Sequence, residues 1–275
     1  MKLGAFELDI LSDGTFGLDG GQMFGVVPKV LWEKQAPADA RNRIRLGLNC
    51  VLVRTGKHNV VIETGIGDKF DAKFADIYNV QRSKSLPEEL RARGIALEDV
   101  DIAINSHLHF DHCGWNTRRE GDKVVPTFPR AKYFIQRGEW EHAMAPTERD
   151  RASYMREFFE PTEKQTEFVS GDAEIVPGFR VEVMPGHNRD LQCVHVESQG
   201  ARACFISDLV PTRAHLPYPW IMSFDLYPLE TLANRHKLLP RLVEQRVLTI
   251  FPHDADLPCA RLAEQSGKIT AAAVE

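Results

Sequence analysis

Six consecutive residues constrain this chain more than any other stretch. His107-Leu108-His109-Phe110-Asp111-His112 puts four side chains of metal-ligand type into one short run. Polar groups this dense need partners once they leave water, and a metal ion suits imidazole and carboxylate together. His107 and His109 are two apart, so at an extended strand end they point the same way. Asp111 and His112 follow where the chain turns and face a second point. That arrangement suits two metals rather than one.

Three more residues share one local context. Val181-Glu182-Val183-Met184-Pro185-Gly186 leads into His187, Ala203-Cys204-Phe205-Ile206-Ser207 into Asp208, and Val247-Leu248-Thr249-Ile250-Phe251-Pro252 into His253. In α/β folds, ligands gather at strand ends. Four such ends bring together His107, His109, Asp111, His112, His187, Asp208 and His253. An Asp can bridge two metals through its two oxygens. Imidazole and carboxylate without thiolate suit zinc, and also iron, manganese or cobalt. Five of the ten histidines fall into this set. His58 reads as a turn residue, His142 and His236 as helix surface, and His195 as part of a strand alternation. Cys113 adjoins the cluster, but seven ligands complete two sites without it.

The remaining sequence limits what surrounds such a centre. The chain has 275 residues, 43% of them hydrophobic, which is enough for a core. Its formal charge of −5 argues against a nucleic-acid partner. No apolar run approaches ~18 residues, so no membrane span is expected. Met1 to Glu7 shows no signal-peptide pattern, and five cysteines do not make a disulfide scaffold, so a cytoplasmic location is expected. The oligomeric state stays open, with a homodimer as the one partner of its own kind to expect.

Strands are predicted at Ala5–Leu11, Leu46–Arg54, Asn59–Glu63, Val100–Asn105, Lys132–Ile135, Phe179–Met184, Ala203–Ile206 and Val247–Phe251. Helices are predicted at Pro87–Arg93, Glu139–Met144, Arg151–Phe159 and Thr231–Gln245, the last broken or kinked at Pro240. Asp19 to Trp32 has too much Gly and Pro for an element interior, and reads as a core-packed loop or a flap over a ligand site. Residues 266–275 are expected to fray. The mixture of strands and helices without a linker gives one α/β domain over 1–275. Met23, Phe24, Trp32, Phe110, His215, Tyr218, Trp220 and Tyr227 are the candidate pocket residues.

At this point the chain resembles the metallo-β-lactamase-fold hydrolases. Their pattern is H-x-H-x-D-H, a lone His, a bridging Asp and a last His, and all seven positions match over roughly residues 3–265. Thr64-Gly65 is similar to the family's D-T-G turn, with Glu63 in place of the Asp. The resemblance implies a four-layer αββα sandwich and two divalent metal ions, zinc foremost. It implies His107, His109 and His187 on one ion, Asp111, His112 and His253 on the other, and Asp208 between them. A bridging hydroxide then attacks the substrate, with Asp111 and Asp208 as the catalytic carboxylates.

The subfamily must come from detail. True metallo-β-lactamases carry Cys or Ser where Asp208 stands, which disfavours antibiotic hydrolysis, and the acidic balance disfavours the RNA-processing members. Asp19 to Lys29, Asp208-Leu209-Val210-Pro211-Thr212 and Tyr227-Pro228 resemble segments of quorum-quenching lactonases. The expected substrate is therefore a lactone or related ester, of the N-acyl-homoserine lactone kind. The alternative is a phosphotriesterase or arylesterase of the methyl-parathion-hydrolase type. One departure stands out: lactonases of this kind place a substrate-contacting tyrosine three residues after the bridging Asp, where this chain has Pro211.

Overall fold

The computed structural model describes residues 1–274. Two seven-stranded sheets face each other. The first begins with β1 (Lys2–Leu3), β2 (Phe6–Asp19), β3 (Arg43–Arg54), β4 (Asn59–Ile62) and β5 (Ile102–Ile104). A separate hairpin, β6 (Thr117–Glu120) and β7 (Lys123–Pro126), stands outside it. β8 (Lys132–Gln136) and β9 (Thr166–Val169) complete the first sheet, in the order β1-β2-β3-β4-β5-β8-β9. The second contains β10 (Ala173–Val176), β11 (Phe179–Val183), β12 (Gln192–Ser198), β13 (Ala201–Phe205), β14 (Leu248–Ile250), β15 (Cys259–Gln265) and β16 (Lys268–Ala272), in chain order.

The helices follow the same sequence logic. They are α1 (Gly20–Phe24), α2 (Lys29–Trp32), α3 (Ala72–Ile77), α4 (Leu86–Ala92), α5 (Phe110–Cys113), α6 (Arg137–Met144), α7 (Arg156–Phe159) and α8 (Pro228–Glu244).

Strand alternation divides the core into layers. Val51, Val53, Val60, Ile62 and Ile104 from one sheet meet Val181, Val194, Val196, Phe205 and Ile250 from the other. On the outer face of the first sheet, Cys50, Leu52, Val61 and Ala103 pack on Leu86 and Leu90 of α4. On the outer face of the second, Cys193, Cys204, Ala260 and Leu262 pack on Leu238, Leu239 and Leu242 of α8. The result is helix, sheet, sheet, helix: the four-layer αββα sandwich of the metallo-β-lactamase fold. β3 is buried on both faces because it crosses the middle of this stack.

Several elements differ from their sequence-based expectation. β2 continues past Leu11 to Asp19, through a register shift between Ser12 and Thr15. Asp13, at that shift, turns inward and is fully buried. It accepts from the backbone N–H groups of Ile66, Gly67 and Leu86 and from Trp115 Nε1, and it pairs with Arg82. Asp19 to Trp32 forms α1 and α2, with the Asp19 carboxylate capping α1 at Gln22 N. Arg151 to Phe159 is a 3₁₀ turn at Arg151–Ser153 followed by α7, rather than one helix. Pro240 neither ends nor splits α8, and lies on its exposed side. The expected frayed tail instead contains β16, paired with β15 from Arg261↔Ala272 to Gln265↔Lys268 and anchored by Ile269. Residue 275 lies outside the described residues. No helix among the described residues is long and apolar enough to cross a membrane.

Candidate active site

Strand ends place the ligand-type residues. β5 stops at Ile104, and the chain runs through Asn105 and Ser106 to His107. His109 caps α5, which carries Asp111 and His112 on one short turn. β11 leads to His187, β13 to Asp208 and β14 to His253. β13 and β14 run parallel, so their residues emerge at the same edge of the second sheet. The parallel strands β4, β5 and β8 aim His107 at that edge from the first sheet.

All seven residues converge. Three sets hold ligand atoms within 4.8 Å of one another: His107, His109 and His187; His107, His112 and Asp208; and Asp111, His112 and His253. The Asp208 carboxylate lies between two nests of imidazoles. Its Oδ2 is 3.4 Å from His187 Nε2 and 4.0 Å from His107 Nε2. Its Oδ1 is 3.2 Å from His253 Nε2 and 3.5 Å from His112 Nε2. Asp111 Oδ2 joins the second nest, 3.5 Å from His253 Nε2.

Partners lie on the far side of four of the five rings. Gly47 O lies 2.9 Å from His253 Nδ1, which must donate to it. Asp225 Oδ1 lies 3.0 Å from His187 Nδ1, and Asp225 Oδ2 accepts from Thr231 Oγ1 at 2.6 Å. Ser106 Oγ lies 2.9 Å from His107 Nδ1 and accepts from Ser207 Oγ. Glu63 accepts from Ser106 N at 2.7 Å, while its other oxygen is 3.5 Å from His112 Nδ1. The longer side chain at the D-T-G position thus reaches both a backbone donor and a histidine. Carboxylates and carbonyls behind imidazoles are the usual way of orienting metal ligands. Glu139 ties two ligand-bearing loops together, accepting from Leu108 N and from Asn188 Nδ2.

The electrostatics fit cations better than protons. Burial, then the neighbouring imidazoles, pulls His107 well below the usual histidine range, and His109 follows for the same reasons. Burial also works against His112, but Asp208 and Asp111 outweigh it and raise it well above that range. Burial opposes ionisation of Asp208, and His112 and His253 overcome it, holding the carboxyl well below the ordinary range. His107 Nε2 and Asp208 Oδ1 are buried without a hydrogen-bond partner. His112 Nε2 and His253 Nε2 face each other at 3.1 Å, as do His187 Nε2 and His109 Nδ1. Orphaned, converging lone-pair atoms on nitrogen and oxygen are what a divalent ion needs. Cys113 is not among them: its thiol donates to Leu108 O.

A cleft of about 260 Å³ opens onto both nests. His109, Asp111, His187, Asp208 and His253 form its floor. Met23 and Phe110 line it, together with Leu18, Tyr78, Met222 and Phe224. Gln22, Arg149, Ala152 and Ser153 complete its rim. Sequence reasoning missed most of these, because α3, the 149–153 turn and the 222–224 loop carry no motif.

The other candidate pocket residues lie outside this lining. Phe24 is buried behind Met23, stacked between Trp32 at 5.3 Å and His215 at 4.4 Å. His215 is an internal strut, with Nδ1 2.8 Å from Thr212 Oγ1 and Nε2 2.9 Å from Met23 O. Burial and Arg235 push its pKa down to about 3. Tyr218 stacks on His236 and, with Trp220, faces a separate surface cavity of about 600 Å³ beside β16. Tyr227 precedes α8 and carries Arg189 over its ring. Pro211 contributes through its backbone, accepting from His253 N at 3.0 Å.

Comparison with known proteins bears on the same region. The profile of the "Metallo-beta-lactamase superfamily" matches residues 44–252. An N-acyl homoserine lactonase of Bacillus thuringiensis is 26% identical over 228 residues, covering 78% of this chain and 83% of that protein. One of Bacillus cereus is 27% identical over 168 residues, covering 58% of this chain and 61% of its own length. A structure described as a "probable metal-dependent hydrolase" from Staphylococcus aureus shares 29% identity with a TM-score of 0.93, over 100% of this chain and 99% of the other. A dizinc quorum-quenching lactonase shares the fold at 20% identity and a TM-score of 0.84, over 100% and 96%. With the match spanning most of the chain and the histidine–aspartate cluster at its centre, this protein belongs to the metallo-beta-lactamase superfamily, as a metal-dependent hydrolase.

Proposed function

We propose that the protein opens a lactone ring, of the N-acyl-homoserine lactone kind, using two divalent ions held by the seven residues. The observation that carries this reading is the Asp208 carboxylate, which presents one oxygen to each imidazole nest beneath a part-apolar cleft. His107, His109 and His187 would hold one ion, and Asp111, His112 and His253 the other, with Asp208 shared. Zinc suits this donor set best, with iron, manganese or cobalt as substitutes. Bound there, the ions supply Lewis acidity, which activates a water and polarises the ester carbonyl.

The chain's own residues do the rest. Gly47 O and Asp225 hold His253 and His187 in the tautomer that turns Nε2 inward. Asp111 reaches both the second nest and the cleft. It is therefore placed to take a proton from the attacking water and return it to the departing alkoxide. Water adds across the C–O bond, giving a carboxylic acid and an alcohol in one chain. Leu18, Met23, Phe110, Met222 and Phe224 give an acyl chain an apolar bed. With Pro211 at the lactonase tyrosine position, the phenol in this cleft is that of Tyr78. The residues of this site come from both sheets, which supports reading the chain as one domain.

The test is a substrate panel on metal-quantified protein. An N-acyl-homoserine lactone, an aryl ester and a phosphotriester are assayed side by side. The expected result is about two metals per chain, fastest turnover of the lactone and loss of activity on chelation. Full activity without metal overturns the mechanism, and faster turnover of the phosphotriester transfers the assignment to the organophosphate-hydrolysing alternative.

A further inference from the structure

The cleft lining contains one cationic side chain of the lysine or arginine type, Arg149. The two carboxylates of the lining, Asp111 and Asp208, face the imidazole nests. No carboxylate lies within 4.0 Å of Arg149 among the described residues, whereas Arg43, Arg54, Arg82 and Arg241 are all paired. Its charge is permanent, since guanidinium does not deprotonate in proteins.

The side chain is also held in place. One amine, Nη2, donates to Ser223 O at 2.6 Å. Ser223 N in turn donates to Gln22 O at 2.8 Å, so the 222–224 loop is clipped between α1 and Arg149. The turn that presents Arg149 is braced behind. Asp150 accepts from Thr147 Oγ1 at 2.6 Å, and its other oxygen lies 2.5 Å from His142 Nε2. One guanidinium nitrogen is thus engaged, and among the described residues the remaining N–H donors have no partner. Met222 and Phe224 flank Ser223, which takes this bond, and both line the same cleft as Arg149, His187 and His253.

We propose that Arg149 determines specificity by binding a carboxylate at the far end of the substrate, so that the preferred lactone or ester has an anionic tail. This rests on the hydrolase reading of the cleft. A carboxylate matches the guanidinium fork in shape and charge. The overall charge of −5 does not attract anions, so a local cation is needed to admit one. Apolar contact along Met222 and Phe224 would take the alkyl linker between the scissile carbonyl and the anion.

The experiment compares two N-acyl-homoserine lactones of equal chain length, one ending in methyl and one in carboxylate. Both are given to metal-loaded wild type, Arg149→Met and Arg149→Lys. An exposed ion pair of this kind is expected to favour the carboxylated substrate roughly three- to fivefold in kcat/KM, mostly through KM. Arg149→Met removes that preference and leaves the methyl-ended substrate within about twofold, which also shows that the variant is folded. Arg149→Lys retains part of it, and added salt shrinks it. An unchanged ratio in Arg149→Met overturns the proposal. If wild type turns over neither lactone, the lactonase reading fails. Calorimetric titration with the same two compounds then reads Arg149 alone, and equal Kd values for both in wild type overturn its role.

Discussion

Asp225 offers the sharpest test of how this site is held together. It is buried, and no motif marks it in the sequence. Its two oxygens serve His187 Nδ1 at 3.0 Å and Thr231 Oγ1 at 2.6 Å. Asp225→Ala leaves both donors buried without an acceptor, at about 1–3 kcal/mol each. The expected loss in stability is therefore about 2–6 kcal/mol, a large share of the roughly 5–15 kcal/mol typical of a whole protein. The backbone bonds Leu226 N to His187 O and Tyr227 N to Gly186 O survive, so the loop keeps its course. Asp225→Asn can still accept from His187, and its amide can donate to a rotated Thr231 hydroxyl, so its stability cost falls to about 1 kcal/mol. Its lost charge still matters for metal. Burial works against a charged His187, and Asp208 and Asp225 together outweigh that and raise it. Either variant should thus bind metal about 10–100-fold more weakly. Urea unfolding of stripped protein reads the first quantity, and competition against a chromophoric chelator reads the second. Wild-type values for Asp225→Ala in both assays would refute the claim that this carboxylate orients the ligand.

Four further outcomes are expected. His215 has its pKa depressed to about 3 by burial and Arg235, so the native state resists a proton that the unfolded chain accepts. Its contribution is complete above the unfolded value near 6.5 and is lost as pH falls toward 3, at up to about 1.4 kcal/mol per unit. His215→Gln should therefore flatten the acid limb of a urea-midpoint profile, and an identical limb would count against the assignment. Gly65→Ala puts a methyl 2.5 Å from atoms of the immobile Asp13, at a φ of +63°, and should cost roughly 2–4 kcal/mol in denaturant unfolding. Leu238→Ala hollows the contact between α8 and the second sheet and should cost about 2–5 kcal/mol, measured the same way. Asp208→Asn should lose metal, seen by elemental analysis, and activity together, whereas retained metal with retained turnover would contradict the shared-ligand role.

The layered fold was legible where one physical requirement dominated. Leu46 to Arg54 and Ala203 to Ile206 read as buried strands because both faces of their sheets are covered, leaving an apolar run with no competing period. The reading failed where long-range partners decide. Lys268 to Ala272 is short and exposed at alternate positions, and looks like a tail until β15 supplies its hydrogen bonds. Pro240 was a reasonable break by local rules, but the packing of Leu238, Leu239 and Leu242 against the second sheet carries α8 through it.

The site divides along the same line, and the reason is chemical. A divalent ion accepts few residue types at narrow spacings, so the ligand-type residues stand out in a bare sequence. A cleft wall asks only for size and polarity, which many residues satisfy, so nothing distinguishes Leu18, Tyr78, Arg149 or Met222 before the loops meet. Pro211 shows the converse. The sequence marks it as a departure because a proline cannot do what a tyrosine side chain does. In the structure the position works through its carbonyl, which holds the backbone of His253, a task that any residue performs and that a proline can take over without loss. On the function proposed above, substrate choice would rest on cleft residues such as Gln22, Tyr78 and Arg149 rather than on the loop after Asp208, with the seven ligand-type residues unchanged.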